Sequence, residues 1–579
     1  MRRPTLGWRA AGLVAAGALV LTACGGGGTT DEPGQEPEEG AAGEPVTGGT
    51  LKLLSQQEQI LHLDPQRNYT GEDLALASAY LSRTLTQYPY TTDVEEANTP
   101  VADLATDTGT PNDDATEWQF TLKDGVRWED GSDVTCEDVK YGVSRTFATD
   151  VITDGPTYAI SMLDIPTDDE GSSQYKGPYT GEGQELYDEA VTCDGNTITF
   201  RLNRSVPDFN YTVTLQSFAP VKESEDTGEQ YDDRVFSNGP YQIEDYTPGQ
   251  QLILVRNEEY DPETDDIRGS YPDRIEYTFA VDPNVLDQRM QADAAEDQTA
   301  ITPDSVLTAS LATVFNDPQF EDRRYNEFDP YVRYIAINTS KVPNVLHRRA
   351  ILAAADRAAI LQLAGGEFAG DPADGTIKPN IGQDYAPTGL WEELLGQEIP
   401  LEGDPEYAKQ LIEESGEPMP RLTYDYATSP DADRGAVALQ EALARADIQV
   451  RLNPIEAGSY YGVVLNENQQ NELSLAGWGP DWPNASTIIP ELFGTQGGFN
   501  LSRYNNPEFE ERVAEALAEQ DRAAQAALWQ ELNAFTMEEA LVLPTRFGRE
   551  QRLHGSKVGG AYIWSPYGSW PYGQLYVME

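Results

Sequence analysis

The chain has 579 residues, with 98 Asp and Glu against 39 Lys and Arg, for a formal net charge of −59. Phosphate binding needs clustered basic side chains, so nucleic acid is not an expected partner. Hydrophobic residues make up 39% and aromatics 9%, enough for packed cores, while the acid is spread along the chain as a solvated surface that salt would screen.

At the amino terminus Arg2, Arg3 and Arg9 form a basic head before the apolar run Ala10 to Val20. That run is shorter than the ~20 residues a membrane-spanning helix needs, so residues 1–23 read as a signal peptide. Leu21-Thr22-Ala23-Cys24, followed by four glycines, resembles the bacterial lipobox, which makes Cys24 the expected lipidation site. A diacylglycerol plus an amide-linked chain supplies the two signals that stable anchoring requires. Residues 24–49 lack Lys and Arg and are rich in Gly, Glu, Pro and Thr, the composition of a disordered tether. Folded sequence begins near Thr50, and the remaining ~530 residues imply two or three domains. No later stretch is apolar enough to cross a membrane.

Further along, Trp118, Phe120 and Leu122 alternate as in a strand and Lys123-Asp124-Gly125 turns the chain; Ile198, Phe200 and Leu202 repeat the pattern. A helix is expected over 135–147, capped by Thr135 or Asp133. A long Ala-rich helix is expected over 345–363, closing at Gly365-Gly366. Asp404-Pro405 opens another helix and Gly416 closes it. Leu422 to Tyr426, Ala432 to Ala446 and the run Ile448, Val450, Leu452 read as a strand–helix–strand unit. Asn506-Pro507 starts a late helix with Phe509, Val513 and Leu517 on one face, followed by a segment with Leu528, Leu532 and Phe535. This alternation predicts α/β architecture.

Of three cysteines, Cys24 belongs to the lipobox, leaving Cys136 at a helix start and Cys193 at a strand entry. An even pair in an oxidising compartment predicts a disulfide, and two Cys without a nearby His make a poor metal site. His62, His347 and His554 are widely spaced, and neither a Gly-rich phosphate loop nor a Gly-x-Ser-x-Gly elbow is present. No cofactor or metal is expected, and no catalytic residue is assigned. A secreted glycosidase using two carboxylates is the rival from the enzyme class, with hydrolysis as the discriminating observation.

Four segments in order carry a resemblance. They are Trp118 to Gly131 with Val134-Thr135 and Asp138-Val139; Ser237-Asn238-Gly239-Pro240-Tyr241 with Leu254-Val255-Arg256-Asn257; Tyr334-Ile335-Ala336-Ile337-Asn338 with Arg349, Ala350 and Ala355-Asp356-Arg357; and Gly477-Trp478-Gly479-Pro480-Asp481-Trp482-Pro483. Together they resemble the extracellular solute-binding proteins of family 5, the oligopeptide- and dipeptide-binding lipoproteins of ATP-driven (ABC) importers. The resemblance implies a two-lobed periplasmic-binding-protein-like clamshell (class II type, cluster C) with an extra inserted domain. Residues 50–95, 232–325 and 545–579 would build lobe I, 96–231 the insertion and 326–544 lobe II. It also implies a non-enzymatic, monomeric receptor on the outer face of the cell membrane, handing peptides to permease subunits that are driven by cytoplasmic ATPases. A surface sensor would use the same fold.

The resemblance carries over to particular residues. Asp481 would receive the ligand's α-ammonium, although an Asp before Trp482-Pro483 also suits a turn. Trp478 and Trp482 would wall the pocket or pack in the core. Tyr334, Tyr158 and Tyr69 are further ligand-binding candidates, each of which also suits an ordinary surface or core position. Two departures stand out: Met290-Gln291-Ala292-Asp293 lacks a Gly common in the family, and Leu475 stands where some members carry an Arg for a peptide carboxylate. Oligosaccharides and nickel complexes therefore stay open beside peptides.

Overall fold

The computed structural model describes residues 44–168 and 171–578. The expected signal peptide and Cys24 lie outside the described residues.

A five-stranded sheet runs in the order Ala300–Ile301, Thr50–Leu54, Arg274–Thr278, Gln251–Arg256, Tyr241–Thr247. Thr50–Leu54 is parallel to both neighbours, and the remaining pairs are antiparallel. A four-stranded antiparallel sheet follows the order Thr110–Pro111, Glu117–Thr121, Thr197–Arg201, Val191–Asp194. Trp118 faces Phe200 across it and Phe120 faces Ile198, all four buried. The period-two alternation thus lies on the inner face, as the sequence predicts. Both sheets contribute to one hydrophobic cluster.

Helix Cys136–Arg145 is opened by a capping box: the Thr135 hydroxyl accepts from the Asp138 N–H and the Asp138 carboxylate accepts from the Thr135 N–H. Its first residue, Cys136, is disulfide-bonded to Cys193 in strand Val191–Asp194, with the Cα atoms 6.0 Å apart. Its last residue, Arg145, is fully buried and carries two carboxylates, Asp64 at 2.7 Å and Asp226 at 3.1 Å. That buried cation is compensated as burial demands.

The second core surrounds a six-stranded sheet ordered Gly370–Pro372, Val542–Leu553, Arg324–Ile337, Leu473–Trp478, Leu422–Ala427, Val450–Ile455. Strands Leu422–Ala427 and Val450–Ile455 are parallel and joined by helix Pro430–Arg445, which is the expected strand–helix–strand unit. Asp404 and Asn506 cap their helices as predicted, each with Pro in the first turn. The long Ala-rich helix is corrected to two, Val345–Ala354 and Arg357–Leu363. Ala355 is extended, and Asp356 accepts from the Ala359 N–H, so the side chain caps a new helix instead of continuing the old one.

Strands Arg324–Ile337 and Val542–Leu553 pair along most of their length, with register shifts between Phe328 and Val332 and between Arg333 and Tyr334. The first shift frees backbone carbonyls, and the buried Lys378 ammonium takes them up. Lys378 Nζ donates to Asp329 O at 2.6 Å, Gly548 O at 2.8 Å, Tyr331 O at 3.0 Å and the Asp329 carboxylate at 2.9 Å. A buried cation thus fixes the bulge and sets how Tyr331 and Arg333 leave the sheet.

Candidate functional site

Strand Leu473–Trp478 leaves the second sheet and runs into Gly479-Pro480-Asp481-Trp482-Pro483. The turn is held by Asn484, whose N–H donates to Trp482 O at 2.7 Å and whose side chain caps the short helical turn Ala485–Thr487. Gly479 lies against the Tyr331 ring, and a Cβ there would approach it to 3.0 Å. The turn is therefore pressed onto the neighbouring strand, and Asp481 projects away from the second core.

Two phenols meet it from the first body, packed around the five- and four-stranded sheets, the second body being packed around the six-stranded one. Tyr69 Oη donates to Asp481 Oδ1 at 2.8 Å, and Tyr158 Oη donates to Oδ2. Tyr69 precedes helix Gly71–Tyr80 and Tyr158 opens helix Tyr158–Met162. Their loops are bound together: a Cβ at Gly155 would fall 1.9 Å from Gln66 O, and Arg67 Nε donates to Thr153 O at 3.2 Å. Arg67 also pairs with Asp232 at 3.1 Å. Only glycine permits that approach at 155.

Trp482 crosses between the bodies. It is 3% exposed, packs in the first hydrophobic cluster and lies 4.9 Å, centroid to centroid, from the Tyr158 ring. Its indole donates to the Asp208 carboxylate at 3.0 Å, which also accepts from the Ser486 hydroxyl at 2.6 Å. Asp208 was not legible in the sequence, since nothing in Ser205-Val206-Pro207-Asp208 marks it.

Burial pushes the Asp481 carboxyl up to about 6; the two phenols pull it down and the nearby Glu491 charge raises it. Burial and the charge of Asp481 push both phenols upward, so they stay protonated donors. Among the described residues no Lys, Arg or His lies within ion-pair distance of Asp481. The arrangement is a desolvated carboxylate satisfied by neutral donors and lacking a counter-cation.

The other candidates lie elsewhere. Trp478 is half-buried against the second core, with its indole donating to Thr487 O at 2.8 Å and its ring 4.8 Å from Phe499. Tyr334 is 1% exposed inside that core, and its hydroxyl finds no partner among the described residues. Asp481, Tyr69, Tyr158 and Trp482 are brought together; Tyr334 and Trp478 are not part of that cluster. Tyr331, 42% exposed beside Gly479, was missed by sequence reasoning. Among the described residues no three His, Cys, Asp or Glu are grouped to hold a metal ion, and no helix is long and apolar enough to cross a membrane.

The model of the bacterial extracellular solute-binding proteins, family 5, matches residues 99–500. The chain belongs to this family. It is similar to the solved clavulanic acid biosynthesis oligopeptide binding protein 2, at 29% identity and a TM-score of 0.84, covering 93% of this chain and 97% of that one. It is 23% identical over 567 residues to the oligopeptide-binding protein OppA of Bacillus subtilis, covering 94% and 95% of the two chains. The dipeptide-binding protein DppE of the same organism is 22% identical over 460 residues, covering 76% of this chain and 78% of its own. The α/β fold is thus the two-lobed one of periplasmic-type binding proteins, and the family works extracytoplasmically by binding solutes.

Proposed function

We propose that this protein captures short peptides outside the cell and delivers them to an ABC permease, with Asp481 receiving the peptide's free α-ammonium. The observation that carries the reading is the Asp481 carboxylate, partly desolvated between two bodies and provided with phenolic donors but no cation. An ammonium arriving there forms a charge-assisted hydrogen bond and relieves the unfavourable desolvation. Tyr69 and Tyr158 then orient the carboxylate, while Trp482 closes the wall behind them. The relatives named for peptides support this choice of solute. Residues 50–95, 232–325 and 545–579 act as one lobe, 326–544 as the other and 96–231 as an extra domain. The paired strands near 324–328 and 549–553 serve as hinge.

The test compares an alanine tripeptide with its N-acetylated form by titration calorimetry. Acetylation should cost the wild type about 2–5 kcal/mol, the range for removing one partner of a desolvated charge pair. Asp481→Asn should bind both forms alike. Equal losses for both peptides on mutation would remove the ammonium assignment. Lipidation at Cys24 is the second part of the proposal: Cys24→Ser should leave an unprocessed precursor or release the protein from membranes. A processed Ser variant retained on membranes would overturn it.

A further inference from the structure

Asp208 stands at the start of helix Phe209–Thr212, where an aspartate ordinarily caps, yet its side chain makes no capping bond. The carboxylate reaches across to the second body instead. One oxygen, Oδ2, accepts from both the Trp482 indole at 3.0 Å and the Ser486 hydroxyl at 2.6 Å. Asp208 is 7% exposed, and among the described residues no Lys, Arg or His lies within ion-pair distance of it. A buried carboxylate turned away from its own helix and completed by donors of the other body is a contact that only the closed molecule makes.

Its mounting on the first body is firm. The Val206 N–H donates to Ala115 O at 3.0 Å, and the Trp118 indole, from strand Glu117–Thr121, donates to Val206 O at 3.1 Å. Phe209, the next residue, is fully buried against Phe200 and Phe218, at 5.4 and 5.7 Å between ring centroids. The four-stranded sheet therefore fixes where the Asp208 carboxylate sits. On the facing side the Ala485 N–H donates to Asp384 at 2.8 Å, and Asp384 is paired with Arg522 at 2.6 Å. That ties the turn from Trp482 to Ser486 to helix Arg522–Glu538.

Further links lie along the same seam. Gln520 Nε2 donates to Asp113 O at 3.0 Å, two residues before Ala115. Burial raises the Tyr211 phenol, three residues beyond Asp208, and the charge of Arg522 from the second body opposes the rise. Burial lowers the Arg204 guanidinium, and the charges of Asp208 and of Glu491, again from the second body, act against that. Each link sets a first-body group against a second-body one, beside the turn that carries Asp481.

We infer that Asp208 is a positioning residue of the ligand site: mounted on the four-stranded sheet, it catches Trp482 and Ser486 as the bodies close and so holds the Asp481 turn against Tyr69 and Tyr158. The four-stranded sheet thereby acts in ligand retention. This rests on the reading of the Asp481 turn as the ligand site. Because the catch forms only after encounter, it sets how fast a bound solute leaves and not how fast it arrives. Asp208 touches no ligand, so free and acetylated peptides depend on it equally.

The experiment follows release of an alanine tripeptide from the full chain by stopped-flow tryptophan fluorescence, and the ligand-free shape by small-angle scattering. D208A should speed release about tenfold, the size of a lost charge-assisted hydrogen bond, with association within about twofold of wild type. D208N keeps an oxygen for both donors and should recover most of the residence time. S486A, in the other body, should speed release about threefold in the wild-type background and hardly at all in D208A, since the two groups act as one contact. Without ligand, Asp481→Asn removes the charge that opposes closure, so adding D208A to it should raise the radius of gyration and adding D208N should not. Equal release from wild type and D208A, or D208A and S486A effects that simply multiply, would overturn the catch and leave the ammonium role standing. If wild type binds no tripeptide, free or acetylated, the peptide reading falls while scattering still decides the catch: an unchanged radius on adding D208A would overturn it.

Discussion

Asp481 shows how a single residue can be legible in type and illegible in state. Its place in Gly477-Trp478-Gly479-Pro480-Asp481-Trp482 can be read from the sequence, but its partners cannot. The groups facing it are Tyr69 and Tyr158 from the first body, Glu491 from its own, and Tyr331 from the adjacent strand. Its carboxyl stands at about 6 against an unperturbed 3.8, mainly through burial. The closed, ligand-free arrangement therefore holds the proton more tightly than the unfolded chain does. The contribution of Asp481 to stability declines as pH rises from about 4 to about 6 and is flat above that. Ligand capture has the opposite sign, because an ammonium needs the ionised carboxylate. Tripeptide affinity should be constant above about pH 6.5 and fall by up to about tenfold per unit below pH 6. Calorimetry between pH 5 and 7.5 checks this, and Asp481→Asn should flatten the profile over that range.

Among elements, capping was the most readable signal and continuity the least. Thr135, Asp404 and Asn506 cap where their sequences predict, because a cap is a contact between a side chain and a backbone N–H two or three residues away. The break at Ala355-Asp356 was hidden inside an Ala-rich run: the same Asp is tolerable within a helix and better at its start, and packing decided between them. The bulge at Asp329 was also unreadable, since its stabilising group, Lys378, comes from 49 residues away. The disulfide joins helix Cys136–Arg145 to strand Val191–Asp194 across 57 residues of chain. In the chain-entropy model a loop of that length contributes about 4 kcal/mol. C136S/C193S should show a loss near that size in denaturant unfolding followed by circular dichroism, with the Asp481 site intact. A loss under about 1 kcal/mol would mean that the unfolded chain is already restrained.

For the whole molecule, the two bodies meet at the site through hydrogen bonds and through the buried Trp482 ring, which packs in the first hydrophobic cluster against Tyr158. Tyr69 and Tyr158 reach Asp481, and Asp208 holds the Trp482 indole and the Ser486 hydroxyl. At pH 7.5 an ionised, uncompensated Asp481 opposes closure. A ligand can shift the balance only through its preference for the closed form, and an ammonium at Asp481 provides one. Small-angle scattering should therefore show the wild type contracting on saturation with a tripeptide. Ligand-free Asp481→Asn should be more compact than ligand-free wild type, because neutralisation removes the opposing charge. Tight binding with no change in radius of gyration would identify a rigid receptor.

By itself the sequence determined the acidic surface, the α/β alternation, most helix starts, the Cys136–Cys193 pairing and the family-like segments. These rest on composition, on periodicity or on contacts spanning a few residues, which the order of residues encodes directly. Only the tertiary structure decided that Tyr69 and Tyr158, 412 and 323 residues from Asp481, share its carboxylate, and that Tyr334 lies in a core instead of beside them. It alone placed Asp208 against Trp482 and Ser486. Desolvation and an unpaired charge are properties of an assembled neighbourhood. No local pattern announces which side chains will be brought together, or which will be left without a partner.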